Sequence, residues 1–176
     1  MAYNNIFAVW LQGPLEPTLM VATLQLLSDR HEILRTRYHA VQEGDPRQVI
    51  EEPGPISIRL EVLTDRPEGI REELAARAVA EEQLRPHDLS VAPPVRYLLV
   101  RLSPTHHALA IAMHHVMCDA GSFAVIRREV DQIYPLLAAG RPVHLEPLPL
   151  QYADYALWQN ECALAGRFDR QLTYWR

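Results

Sequence analysis

Two adjacent histidines and one aspartate are the residues of this sequence best placed to do chemistry. His114 and His115 end an apolar run, and Asp119 lies four positions after His115. Because neighbouring side chains of a strand point to opposite faces, the two histidines cannot do the same job. A histidine beside the free backbone N–H groups of a helix start suits acyl transfer. The same pattern also fits an ordinary polar turn after a buried strand.

Cys118, between the histidines and Asp119, allows two other kinds of chemistry. A zinc site with His114 and His115 would need a fourth ligand, and Cys162 lies far away in the sequence. A cysteine nucleophile would need an activating environment, of which the sequence gives no sign. We therefore predict no metal and interpret Cys118 as a small buried hydrophobic residue.

Length and composition exclude several classes of protein. The chain has 176 residues, of which 48% are hydrophobic, and a net charge of −5. This predicts one globular domain and no nucleic-acid partner. The sequence contains no apolar run of about 18 residues, so no membrane-spanning helix is predicted. The N-terminus lacks the features of a signal peptide. Two cysteines do not form a disulfide framework, so we expect a cytoplasmic protein.

Strand and helix patterns alternate along the chain. Strands are predicted at 5–13 and 56–63, and hairpins at 35–52 and 93–115. Helices are predicted at 17–29, 67–86 and 121–139, and after a proline-rich loop at 140–150 the tail is helical with a break near Gly166. These elements predict an α/β fold, an α+β two-layer sandwich with helices on one face of a mixed sheet.

Other polar and aromatic residues have plain structural interpretations. His106 and His107 are predicted at an exposed hairpin tip. Tyr152, Tyr155 and Trp158 have helical spacing, which is more typical of a core stripe than of a ligand site.

Three segments resemble motifs of the condensation domains of non-ribosomal peptide synthetases. RHEILRTRY (30–38) resembles R-H-E-x-L-R-T-x-F, HHVMCDAG (114–121) resembles H-H-x-x-x-D-G, and YADYALWQ (152–159) resembles Y-x-D-Y-A-x-W-Q. The three segments occur in the family's order, and the resemblance spans essentially the whole chain.

The resemblance implies the N-terminal lobe of a chloramphenicol acetyltransferase-like fold. It implies an acyltransferase that forms a peptide bond between a donor acyl or peptidyl thioester and an acceptor aminoacyl thioester. Donor and acceptor carrier proteins would present both substrates on 4′-phosphopantetheine arms, with no cofactor bound directly. The setting would be secondary metabolism, including antibiotic biosynthesis.

The resemblance also assigns roles at the site. His115 would be the catalytic residue, as general base or as positioner of the amine, and His114 would be structural. Asp119 would form a buried ion pair with Arg35 and hold the loop. Ala120 stands where the family has glycine, and Gly121 follows it. A position that needs positive φ would disfavour this alanine, whereas a position that needs only small size would not.

The family's first motif and its second lobe have no counterpart in residues 1–176. We therefore expect a lobe truncated at both ends, whose partners include the missing C-terminal lobe and which is inactive alone. Two alternatives stay open: a stand-alone O- or N-acyltransferase that uses acyl-CoA, and a non-catalytic module that docks a carrier protein.

Overall fold

A computed structural model of the chain describes residues 3–40, 46–91 and 93–176. Its strands are β1 (Asn4–Gln12), β2 (Thr36–His39), β3 (Arg47–Ile50), β4 (Ile58–Val62), β5 (Val95–Ser103) and β6 (His106–His114). Its α-helices are α1 (Pro17–Arg30), α2 (Glu68–Leu84), α3 (Ala120–Ala138), α4 (Tyr152–Leu164) and α5 (Asp169–Trp175), and a short 3₁₀ helix spans Glu32–Arg35. Each predicted element is found near its predicted bounds.

Four strands form a mixed sheet in the order β1-β6-β5-β4. The β1–β6 and β5–β6 pairs are antiparallel, while β4 and β5 run parallel. Strands β2 and β3 form the separate predicted hairpin, whose tip at 41–45 lies outside the described residues. The predicted mixed α/β class is confirmed.

Helices cover both faces of this sheet, which corrects the prediction of a single helical layer. Leu109 and Ile111 of β6 pack under α1 and α3, whereas Ala108 and Ala110 pack against α2. Because β6 is central and buried on both faces, its sequence is a nearly continuous apolar run. That run ends at His114, where the chain leaves the sheet.

Two predictions about individual side chains are wrong. His107 lies inside β6 and is fully buried, because the hairpin turn is confined to Pro104 and Thr105. Tyr152, Tyr155 and Trp158 of α4 are about half exposed, and their rings contact one another in tilted pairs instead of forming a buried stripe. No described helix is long and apolar enough to cross a membrane.

Candidate active site

The histidine pair lies where β6 leaves the sheet. His114 is the last residue of β6, opposite Asn4 of β1, and its side chain is half-buried. His115 is the first residue after the strand and is exposed. The backbone N–H of His115 donates to the Tyr3 carbonyl at 2.6 Å, so β1 fixes the main chain at this position. The two histidines thus differ in burial, as their alternation predicts.

The His114 ring is held by the loop that it precedes. Its Nδ1 accepts a hydrogen bond from the backbone N–H of Val116 at 3.1 Å. Burial, followed by the charge of neighbouring His115, lowers the pKa of His114. A neutral ring that accepts at Nδ1 carries its proton on Nε2. His114 therefore holds the turn in shape, while His115 is exposed.

Cys118 packs beneath the loop and is not an activated nucleophile. Its thiol donates to the His114 carbonyl at 3.6 Å, and its sulfur accepts a hydrogen bond from the Asn5 side-chain amide at 3.7 Å. Burial raises the pKa of the Cys118 thiol, which keeps it protonated and unreactive. Within the described residues, no three His, Cys, Asp or Glu side chains form a metal-binding group.

Asp119 caps α3 and does not pair with Arg35, which corrects the interpretation drawn from the resemblance. The exposed Asp119 carboxylate accepts from the Ser122 backbone N–H and from the Ser122 hydroxyl, both at 2.9 Å. These two bonds, the backbone one first, hold the pKa of Asp119 below its usual range. The carboxylate therefore occupies the helix start, where backbone N–H groups stabilise negative charge.

Arg35 is engaged elsewhere. Its guanidinium donates to the Glu51 carbonyl at the end of β3 and forms an ion pair with Glu32 at 3.4 Å. The physical reason for the correction is local. Asp119 finds donors three residues along the chain, and Arg35 finds acceptors on its own hairpin and 3₁₀ helix.

Ala120 is the first residue of α3, and no non-glycine residue among those described has positive φ. The alanine therefore causes no backbone strain at this position. A Cβ atom on Gly121 would lie 3.3 Å from the Asp119 carboxylate oxygen. Gly121 thus leaves room for the cap.

A buried ion pair that was not predicted from the sequence joins the RHEILRTRY segment (30–38) to α3. The Glu129 carboxylate, which is 3% exposed, binds Arg30 at 3.2 Å and His31 at 2.7 Å. The signal was present, since Glu129 shares the buried stripe of α3 with Ile126 and Ile133. A charged residue in phase with an apolar stripe indicates a buried partner.

A further histidine, also missed, lies near the end of α2. His87 accepts a hydrogen bond at Nδ1 from Arg96 at 2.9 Å. Burial first, and then the electrostatic effect of nearby Arg96 and His114, lower the pKa of His87 to about 4. His87 is therefore neutral near pH 7.

Comparisons with known proteins show the family of this chain. The sequence model of the family described as Condensation domain matches residues 1–176. This chain belongs to the condensation-domain family. It is 36% identical over 176 residues to chondramide synthase cmdD of Chondromyces crocatus and 37% identical over 175 residues to cyclosporin synthetase simA of Tolypocladium inflatum. These matches cover 100% and 98% of the chain but only 4% and 1% of the two synthetases.

Solved structures show the same fold. The X-domain from teicoplanin biosynthesis superimposes with a TM-score of 0.84 at 30% identity, and the match covers 99% of this chain and 38% of that one. The starter condensation domain of rhizomide synthetase RzmA gives a TM-score of 0.86 at 21% identity, over 98% of this chain and 41% of that one. The residues described here thus correspond to less than half of a solved condensation-domain chain.

Proposed function

We propose that this condensation-domain lobe takes part in peptide-bond formation and that His115 acts on the attacking amine. The observation that supports this most is the exposed imidazole of His115 on a main chain fixed by Tyr3 and by the capped loop. In the reaction, the amine nitrogen attacks the thioester carbon, the C–S bond breaks, and a proton passes from nitrogen to the leaving sulfur.

Energetics allow His115 either of two roles. An α-amino group has an ordinary pKa of about 7.7–8.0, so roughly a tenth of it is already neutral at pH 7. Removal of the proton during attack by a general base is typically worth about 10²–10⁴-fold in rate. A hydrogen bond that orients the amine supplies a comparable share.

The proposed substrates and partners follow from the family. The donor acyl or peptidyl thioester and the acceptor aminoacyl thioester arrive on phosphopantetheine arms of carrier proteins. The C-terminal lobe of the domain forms the other wall of the site, and the protein works in the cytoplasm in secondary metabolism. The lobe needs no directly bound cofactor.

Condensation by a synthetase that contains this lobe tests the role of His115. Loaded donor and acceptor carrier proteins are supplied, and the dipeptidyl thioester is measured by mass spectrometry. We expect His115→Ala to lower the rate of dipeptidyl thioester formation by about 10²-fold or more. A matched control is His144→Ala, in the exposed loop before α4. Full activity of His115→Ala would contradict the proposal.

A docking function is the second candidate. A complex is known between the X-domain from teicoplanin biosynthesis and OxyB, and that X-domain is 31% identical to this chain. If this lobe only docks a protein, His115→Ala leaves condensation unchanged, and a partner binds with the same affinity to both forms. The acyl-CoA alternative is tested by supplying acyl-CoA in place of the donor carrier protein.

A further inference from the structure

A cleft of about 360 Å³ lies beside the loop that follows His115. Each of the three motif segments contributes to its walls. Leu34 comes from RHEILRTRY, Met117 from HHVMCDAG and Tyr152 from YADYALWQ. Val125 of α3 forms a further part of the wall. The cleft is therefore built from the same segments that shape the histidine site.

The buried polar groups at this cleft already have partners. The Glu129 carboxylate binds Arg30 and His31, and the Gln151 amide donates to the Arg30 carbonyl at 2.9 Å. Arg128 also borders the cleft but is an exposed residue. The rest of the lining is mainly aliphatic side chains and methionine thioethers, so the cleft favours an apolar group.

The wall of the cleft includes Met117 of the loop that follows His115. Met117 follows His115 by two residues, which places their Cα atoms at most about 7 Å apart. In an aminoacyl group, the side chain branches from the carbon between the nitrogen and the carbonyl carbon. A substrate whose nitrogen or carbonyl lies at His115 therefore has its side chain within reach of the cleft.

We propose that this cleft binds the apolar side chain of an aminoacyl substrate and thereby selects among substrates. This proposal rests on the function proposed above. Met113 and Met117 suit the task, because unbranched thioether side chains adapt to different apolar shapes. Each methylene group buried in the cleft contributes about fourfold to affinity.

Binding is tested in the 176-residue chain without any catalysis. The chain is labelled with ¹³C-methyl methionine and titrated with N-acetyl-leucine amide, with N-acetyl-glycine amide as the matched probe. We expect saturable NMR chemical-shift changes of the methyl groups of Met113 and Met117 with the leucine probe only. The methyl group of Met20, in the core under α1, should show none. Val125→Phe, which fills the cleft, should abolish the shifts, and Ala124→Phe on the exposed side of α3 should not.

Selectivity is tested in a synthetase that contains the lobe. Leucyl and glycyl groups are loaded on the donor or on the acceptor carrier protein, in separate arms that show which substrate uses the cleft. We expect Val125→Phe to lower kcat/KM for leucyl relative to glycyl by about tenfold or more in one arm. Val125→Ala, which widens the cleft, should raise kcat/KM for phenylalanyl relative to leucyl. This variant replaces Val125→Phe in the test if Val125→Phe does not fold.

Two results would overturn the cleft proposal: no saturable methionine shifts, or unchanged selectivity in both arms. The function proposed for His115 is tested separately. His115→Ala should leave the methionine shifts in place, because His115 is not part of the lining. Active His115→Ala with intact shifts would remove the catalytic role and leave the cleft as a binding site.

Discussion

Asp119 and Ser122 form a reciprocal pair at the first turn of α3. The Asp119 carboxylate accepts from the Ser122 backbone N–H at 2.9 Å, and the Ser122 hydroxyl accepts from the Asp119 backbone N–H at 3.0 Å. This is a capping box, which satisfies two backbone donors that would otherwise lack partners. The aspartate of the histidine motif therefore sets where α3 begins and how long the loop after His115 is.

We predict that Asp119→Ala destabilises the chain only by the amount of a lost N-cap. The melting temperature should fall by about 2–4 °C, measured by circular dichroism. Asp119→Asn should retain nearly all stability, because asparagine also accepts at the N-cap. Unfolded Asp119→Ala protein would show that the carboxylate has a buried partner after all.

Glu129→Ala should lower the free energy of unfolding far more than Asp119→Ala does, because it removes the shared partner of Arg30 and His31. Glu129 is almost fully buried, while the side chains of Arg30 and His31 keep 17% and 18% exposure. We expect a loss of about 2–4 kcal/mol in urea unfolding, since the two partly exposed groups recover some hydration. Asp131→Ala, which breaks only an exposed pair with Arg127 on the same helix, should cost less than about 0.5 kcal/mol. Equal losses for the two variants would contradict the buried pair.

How far the sequence predicts this structure depends on how local each signal is. The elements were found because apolar periodicity and Pro or Gly boundaries are local, and Gly166, at φ +69°, does break the tail helix. The capping of Asp119 is also a local signal, because an acceptor lies three residues before Ser122 at the start of a predicted helix. The layer arrangement was missed although β5 and β6 carry consecutive apolar residues. Such runs indicate burial on both faces.

The sequence signal at Glu129 indicates a buried partner, but which residues meet across distant parts of the chain could not be predicted. Glu129 meets Arg30 and His31 across about a hundred residues of sequence, and the pKa of His87 depends on its burial and then on Arg96 of β5. The resemblance located His115 through its motif. Its exposure, and the half-burial of His114, depend on how β1 pairs with β6.

The low pKa of His87 predicts acid sensitivity. The unfolded chain binds a proton at His87 near pH 6.5, whereas the folded chain does so only near pH 4. The unfolded state therefore holds more protons between these values, and the free energy of unfolding falls as the pH falls through that window. His87→Phe should flatten this part of the curve in urea unfolding at pH 7, 6 and 5. His144→Phe is the exposed control, and an unchanged slope in His87→Phe would contradict the prediction.

His107→Leu should stabilise the chain, which is the reverse of the usual effect of a core substitution. The His107 ring is fully buried, and within 3–40, 46–91 and 93–176 neither ring nitrogen has a hydrogen-bond partner. A buried polar group without a partner costs about 1–3 kcal/mol, and leucine fills a similar volume without that cost. We expect a gain of about 1 kcal/mol in the free energy of unfolding, measured by urea unfolding at pH 7.

Burial, and then the charge of Arg101 opposite on β5, lowers the pKa of His107. Protonation of His107 in the unfolded chain therefore destabilises the fold below about pH 6.5. The gain should therefore be larger at pH 5 than at pH 7. His106→Leu, at the half-buried neighbouring position, should change stability less at both pH values. A destabilised His107→Leu would mean that the imidazole makes a hydrogen bond in solution, and a gain independent of pH would mean that His107 titrates as freely in the folded chain as in the unfolded one.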